Sequence, residues 1–250
     1  MIPARIAAAI VLTGGWRAVE LLAGRLEGVG LVTSLALAGG LAWGLARARH
    51  SLSGSHLAAT LLGMAGAGAT GVALLQMGAT VAALLLCAMP RPQWSLLSLA
   101  VLALPVLPTL DVLLAWPLRR ISALITVAML RLNGVGVGLE GVALEWHGQQ
   151  LLFDGPCSGI RMLWAMLVLG SLIGFVHQLS AWRLALLLGL AVVAAVLGNA
   201  LRAASLFYLE SGFVPALSGP VVHEAVGLAA FAIVGCATLA MLAGPRSAKA

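Results

Sequence analysis

The chain is short of charge. Only 9% of its 250 residues are Asp, Glu, Lys or Arg, where a soluble domain carries roughly 25%. With 62% hydrophobic residues and a mean hydropathy of +1.08, it has too much apolar surface to enclose in one aqueous core, which implies a polytopic membrane protein. It lacks any run of four basic residues. The net charge of +6 is spread over short loops, which suits orientation in a bilayer and argues against a nucleic-acid partner. It has only three cysteines, Cys87, Cys157 and Cys236, with no metal-type spacing and no disulfide framework. Repeats and low-complexity tails are absent. The first apolar segment holds Arg17 and Glu20 and has no clear small-residue cleavage site, so nothing there is expected to be removed. What is abundant is Leu, Ala, Val and 30 glycines, a composition suited to close helix–helix contact in lipid.

Apolar segments recur at intervals fitting spans of about 20 residues. They are expected at 6–23, 29–46, 57–75, 77–89 and 94–110, with Pro105 and Pro108 kinking or ending the fifth. Residues 116–133 carry Arg119, Arg120 and Arg131 among apolar positions and read as an interfacial helix. Glycines at 134, 136, 138, 141 and 148 then punctuate alternating residues. His147-Gly148-Gln149 reads as the turn of a small extracytoplasmic β-hairpin between 142–146 and 150–153. Spans at 158–176, 183–208 and 221–242 close the chain. The expected fold is therefore an all-α polytopic membrane protein of about eight transmembrane helices. It is one integral-membrane domain over 1–250, with five spans in 1–110, the interfacial helix and hairpin in 111–157, and three spans in 158–250.

Eight spans put both termini on one side. Assigning that side to the cytoplasm gathers Arg5, Arg47, Arg49, Arg91, Arg183, Arg246 and Lys249 there without an acidic neighbour. The loop before Cys157 then faces outward. Arg202 lies 19 residues beyond Arg183, roughly 28 Å along a helix and near the outer boundary. His223 falls in the first turn of the last span. Cys157, Arg202 and His223 thus share one depth.

Each suits a chemical task. Cys157 stands at a helix N-terminus, where free N–H groups and the helix dipole favour a thiolate. The N–H groups of Ser158 and Gly159 suit an oxyanion. Arg202, three residues after Asn199 in an apolar span, suits a negative charge, with snorkelling to the headgroups as the competing account. His223 has the pKa to take and return a proton near neutrality. An ordinary buried thiol and an interfacial histidine remain open alternatives for Cys157 and His223. Cys87 and Cys236, mid-helix among apolar residues, read as buried small residues. His50, His56, His147 and His177 fall in loops or at span ends. Arg161 suits substrate binding or a pairing with Asp154. Trp94, Trp116, Trp146 and Trp182 read as interfacial anchors.

Pro-Cys-Ser-Gly-Ile-Arg at 156–161, Asn-Ala-Leu-Arg at 199–202, and His223 with Gly227 resemble the three signature blocks of the exosortase/archaeosortase family. Pro105, Pro108, Pro117-Leu118-Arg119 and the Gly-rich stretch before the cysteine extend the resemblance over about 102–235. It implies an integral-membrane cysteine transpeptidase with Cys157 as nucleophile, Arg202 as catalytic arginine and His223 as third member. Ser158, Gly159, Arg161 and Asn199 would bind substrate or support the site. Implied substrates are secreted proteins ending in a short motif (Pro-Glu-Pro-like in many bacteria), a hydrophobic span and a basic tail. These would be passed to an unknown acceptor at the inner membrane, often in organisms making exopolysaccharide. No metal or organic cofactor is expected. A hydrolytic protease would share these residues. A transporter, lipid carrier or scaffold in exopolysaccharide export is the alternative from another class, although the N-terminal half lacks polar counterparts of Arg202 and His223.

Overall fold

The computed structural model describes residues 1–23, 29–89, 93–104, 107–152, 159–211 and 220–242. Ten helices hold about 80% of these residues. The chain divides into two compact units. One is Met1–Leu107 with Gly170–Ala185, and the other is Pro108–Leu169 with Leu186–Ala250.

The first unit opens with β1 (Ile2–Pro3), followed by α1 (Ala4–Gly14), α2 (Trp16–Ala23) and α3 (Val29–Arg47). After α3, β2 (Ser51–Leu52) pairs antiparallel with β1 and ties the N-terminus to the end of that helix. Then come α4 (Gly54–Ala69), α5 (Ala73–Ala88) and α6 (Trp94–Ala103). Helix α5 is the centre, packing against α1, α2, α3, α4 and α6. Its core is built largely from small side chains, including Ala7, Ala8, Val11, Ala83 and Cys87. Small residues let helix backbones approach where lipid supplies no hydrophobic drive. At Gly40 the approach is so close that an added Cβ would stand 2.5 Å from Leu96 Cδ1.

The second unit contains α7 (Leu107–Leu132), then β3 (Gly138–Glu140), β4 (Ala143–Trp146) and β5 (Gln149–Leu152). It is completed by most of α8 (Ile160–Val176) and α9 (Ala181–Glu210), and by α10 (Pro220–Leu242). The strands form an antiparallel meander in which Leu144 stands opposite both Leu139 and Leu151. His147 and Gly148 both have positive φ, 50° and 76°, as a two-residue type I′ hairpin turn requires. The expected hairpin is therefore present, with β3 added to it. Two arginines of α7 hold the segment that leads into it. Arg131 Nε donates to the Val137 carbonyl and Arg120 Nη1 to the Gly141 carbonyl, each at 2.9 Å. A cluster of Ala123, Val127, Leu130, Val137, Leu144, Ala203, Ala204 and Phe207 joins α7, α9 and the sheet.

Several expectations need correcting. Residues 116–133 are not a separate interfacial helix. All but Asn133 form the later part of the 26-residue α7, which carries Pro117 inside it. Thr109–Leu132 is long and apolar enough to cross a membrane, as is Ala181–Leu209. Two of the three arginines that gave 116–133 its amphipathic look are spent on loop carbonyls. The break falls earlier, where α6 ends at an extended Leu104 (ψ 148°). The residue before a proline is driven out of the helical region, and Pro105 follows. Pro105 itself lies outside the described residues. The first span is broken at Gly15 into α1 and α2, and the turn between the third and fourth falls at Gly71 (φ +70°). Cys87 is buried as expected, but Cys236 is exposed. For a helix in lipid this carries no penalty, because the solvent there is itself apolar. Trp146 is not a free anchor: its ring meets Phe207 edge-on, with centroids 5.5 Å apart.

Candidate active site

Three helices of the second unit meet around the later part of α9. Gly198 is the contact point. A Cβ there would stand 2.5 Å from Met162 Cε of α8 and 2.8 Å from Val234 Cγ2 of α10. Further along α9, Gly227 of α10 lies against Arg202, and a Cβ at 227 would be 3.0 Å from the arginine Nε and 3.5 Å from Cδ and Cζ. As α9 advances from 198 to 202, α10 recedes from 234 to 227, so the two helices run antiparallel. The bare backbone of Gly227 makes room for the guanidinium of Arg202, whose Nε is shielded from solvent.

The start of α8 joins the same cluster. Gly159 has φ +76°, a region where side chains with a Cβ are strained. Its carbonyl accepts the Leu163 N–H at 2.9 Å, opening the helix. A Cβ at 159 would stand 2.8 Å from Asn199 Nδ2 and 2.9 Å from its Cγ. Position 159 therefore needs glycine twice, for its dihedral angle and for the side chain beneath it.

Asn199 is buried at 2% exposure. Its Nδ2 donates to Ser122 Oγ of α7 at 3.0 Å. Thr126, one turn further along α7, donates its Oγ1 to the carbonyls of Ser122 (2.8 Å) and Ala200 (3.2 Å). A polar seam thus fastens α7 to α9 directly below the Gly159 turn. Such hydrogen bonds between apolar helices average about 0.6 kcal/mol and reach ~1.7. Ser122 and Thr126 were not singled out in the sequence. Their signal was two hydroxyls four residues apart, on one face of an apolar helix.

The expected site residues fall as follows. Arg202 and Asn199 lie one turn apart on α9. Arg161 is in the first turn of α8 and exposed. His223 lies in α10 four residues before Gly227, about 6 Å along the axis. Its side chain lies outside those described. Cys157, Ser158 and Asp154 lie outside the described residues. Cys157 precedes Gly159 by two positions, a reach of at most about 7 Å. Among the described residues no group of three His, Cys, Asp or Glu side chains is arranged to hold a metal ion.

A family model for transmembrane exosortases matches residues 4–240. The chain belongs to the transmembrane exosortase family. The match reaches well beyond the 102–235 over which the motifs carried the resemblance, and takes in all the N-terminal helices. No curated protein and no solved structure matches the chain. In this exosortase the segments bearing the signature blocks adjoin elements that pack together. The Gly159 turn lies on Asn199, and Gly227 lies on Arg202.

Proposed function

We propose that this exosortase is a cysteine transpeptidase that cleaves the C-terminal sorting signal of secreted proteins and passes the new C-terminus to an acceptor. The signal is a short Pro-Glu-Pro-like motif, a hydrophobic span and a basic tail. The supporting observation is the packing of Gly159 on Asn199 and of Gly227 on Arg202, which brings together one or two described residues from each of the three sequence blocks.

In this mechanism the Cys157 thiolate attacks the scissile carbonyl carbon. The carbonyl electrons move onto oxygen, where Arg202 and the N–H groups of Ser158 and Gly159 stabilise them. Collapse expels the amine of the hydrophobic tail, with His223 supplying its proton, and leaves a thioester on Cys157. His223 then takes a proton from an acceptor amine, whose nitrogen attacks the thioester and releases the thiolate. Water in place of the amine gives hydrolysis. Asn199, anchored by Ser122, acts as a positioning residue beneath the Gly159 turn. Arg161, exposed beside that turn, meets the substrate.

Counting α1 with α2 as one broken span and α7 as a crossing of its own, with the 10-residue α6 too short to cross, gives eight crossings. Both termini are then cytoplasmic, and the site opens on the outer face of the inner membrane. The basic end of the substrate tail remains with the cytoplasmic leaflet, as its charge requires.

Co-expression with a protein bearing such a tail tests this. Wild type is expected to shorten the substrate by the tail's mass, while Cys157→Ala and Cys157→Ser leave it uncut. Undiminished processing in Cys157→Ala would remove the thiol from the mechanism.

A further inference from the structure

A second feature lies in the other unit, at the end of α3. A cavity of about 870 Å³ is lined by Trp43, Arg47, Arg49, His50, Phe175 and Gln178, among others. None of the described residues that line it is acidic. The unit's only acids are Glu20 and Glu27, and Glu20 accepts the Trp16 N–H within α2. The Arg47 guanidinium lies 3.6 Å over the Trp43 ring. The α3 carbonyls nearby are already taken, because Arg5 donates to Leu45 and Ala46. Gln93 and Gln178 are also occupied, the first bonded to the second and the second to the Phe175 carbonyl. His50 Nε2 is buried with no hydrogen-bond partner among the described residues. Among the described residues, two guanidinium groups and an imidazole nitrogen thus face a cavity whose lining carries no counter-charge.

The walls say what kind of anion fits. Val32, Leu35, Gly39 and Trp43 lie on one side of α3, spaced three or four residues apart, with Arg47 one turn beyond. Val32, Leu35 and Trp43 are 54%, 62% and 53% exposed, and a Cβ at Gly39 would meet nothing within 4 Å. An open apolar strip therefore leads down α3 to the cations. A soluble phosphate would use the cations and leave the strip bare. A phospholipid uses both, its acyl chain along the strip and its phosphate between Arg47, Arg49 and His50.

We infer that this cavity is a binding site for an anionic phospholipid of the surrounding bilayer. The guanidinium groups take the phosphate oxygens through paired N–H donors, and His50 Nε2–H supplies a third. An anionic headgroup such as phosphatidylglycerol is favoured over a zwitterionic one, whose choline would bring a cation among cations. The proposed site uses residues of the first unit alone and does not depend on the chemistry of Cys157, Arg202 and His223.

Native mass spectrometry of the full chain in detergent tests this, with phosphatidylglycerol or phosphatidylcholine added. Wild type is expected to retain more phosphatidylglycerol than phosphatidylcholine, and Arg49→Gln to lower phosphatidylglycerol retention about fivefold, the worth of one interfacial arginine. Arg49→Lys keeps the charge and most of the retention. Arg183→Gln removes one charge from an exposed position outside the cavity and is expected to leave retention unchanged. Inorganic phosphate in excess over lipid is expected not to displace it. Equal retention of both lipids would overturn the site, as would equal loss in Arg49→Gln and Arg183→Gln. Displacement by inorganic phosphate would replace the lipid with a soluble phosphate compound.

Discussion

Asn199 and Ser122 are bonded across α9 and α7 at 3.0 Å, with neither side chain more than 2% exposed. The amide they fix lies under the backbone of Gly159, two residues from Cys157. Ser122→Ala removes the anchor and leaves the amide in place. It is expected to lower unfolding free energy by about 1 kcal/mol. It should also slow substrate cleavage several-fold, chiefly in kcat, since a looser turn costs orientation more than binding. Ser122→Thr keeps the hydroxyl and should restore most of the rate. An unchanged rate in Ser122→Ala with the stability loss intact would make the pair purely structural.

Gly159 tests the same turn from the other side. Alanine there suffers both the positive φ, at about 1 kcal/mol or more, and a 2.8 Å contact with Asn199 Nδ2. Gly159→Ala is expected to lose cleavage almost completely. The double variant Gly159→Ala with Asn199→Ala relieves the contact but not the dihedral strain, and should recover part of the lost stability. No recovery would mean that Asn199 is not what excludes a side chain at 159.

Gly227 makes a graded prediction. A Cβ at 3.0 Å from Arg202 Nε asks the flexible guanidinium to shift by a few tenths of an ångström, whereas a branched side chain displaces it. Gly227→Ala is expected to retain reduced activity. Gly227→Val should fall towards the level of Arg202→Ala, a loss of about 10²- to 10³-fold if Arg202 stabilises the oxyanion. Equal activity in Gly227→Val and wild type would separate Arg202 from the reaction.

Much of this was legible in the sequence, for identifiable reasons. Long apolar runs marked α3, α8, α9 and α10, because an apolar helix in lipid is written as an uninterrupted string. The turn at His147-Gly148 was legible because only a few residues tolerate its dihedral angles. Asn199, Arg202 and Gly227 stood out as polar or small residues in segments where each costs something. The continuity of α7 was not legible, because two of the arginines that suggested a surface helix are satisfied by loop carbonyls 6 and 21 residues further along the chain. Ser122 was missed for a similar reason: its partner lies 77 residues away, and a serine in a helix carries no mark of what it will meet. The resting place of Arg202 against Gly227 needed the antiparallel crossing of two helices, which periodicity does not encode.

The unbroken α7 has its own test. Leu113 and Leu132 are both exposed, at 66% and 88%, and separated by 19 residues of one helix. Spin labels there should lie about 28 Å apart, with a narrow distribution. A markedly shorter or broad distance would restore a break near Trp116.

The central claim is a thioester on Cys157, and it is read most directly by trapping. The wild-type enzyme incubated with a tail-bearing substrate and then denatured in acid should carry a covalent adduct. Its mass should equal the substrate without its tail, hydroxylamine should release it, and peptide mapping should assign it to Cys157. An adduct mapped to Cys87 or Cys236, or cleavage that proceeds with no thiol-linked species and survives Cys157→Ala, would contradict the account.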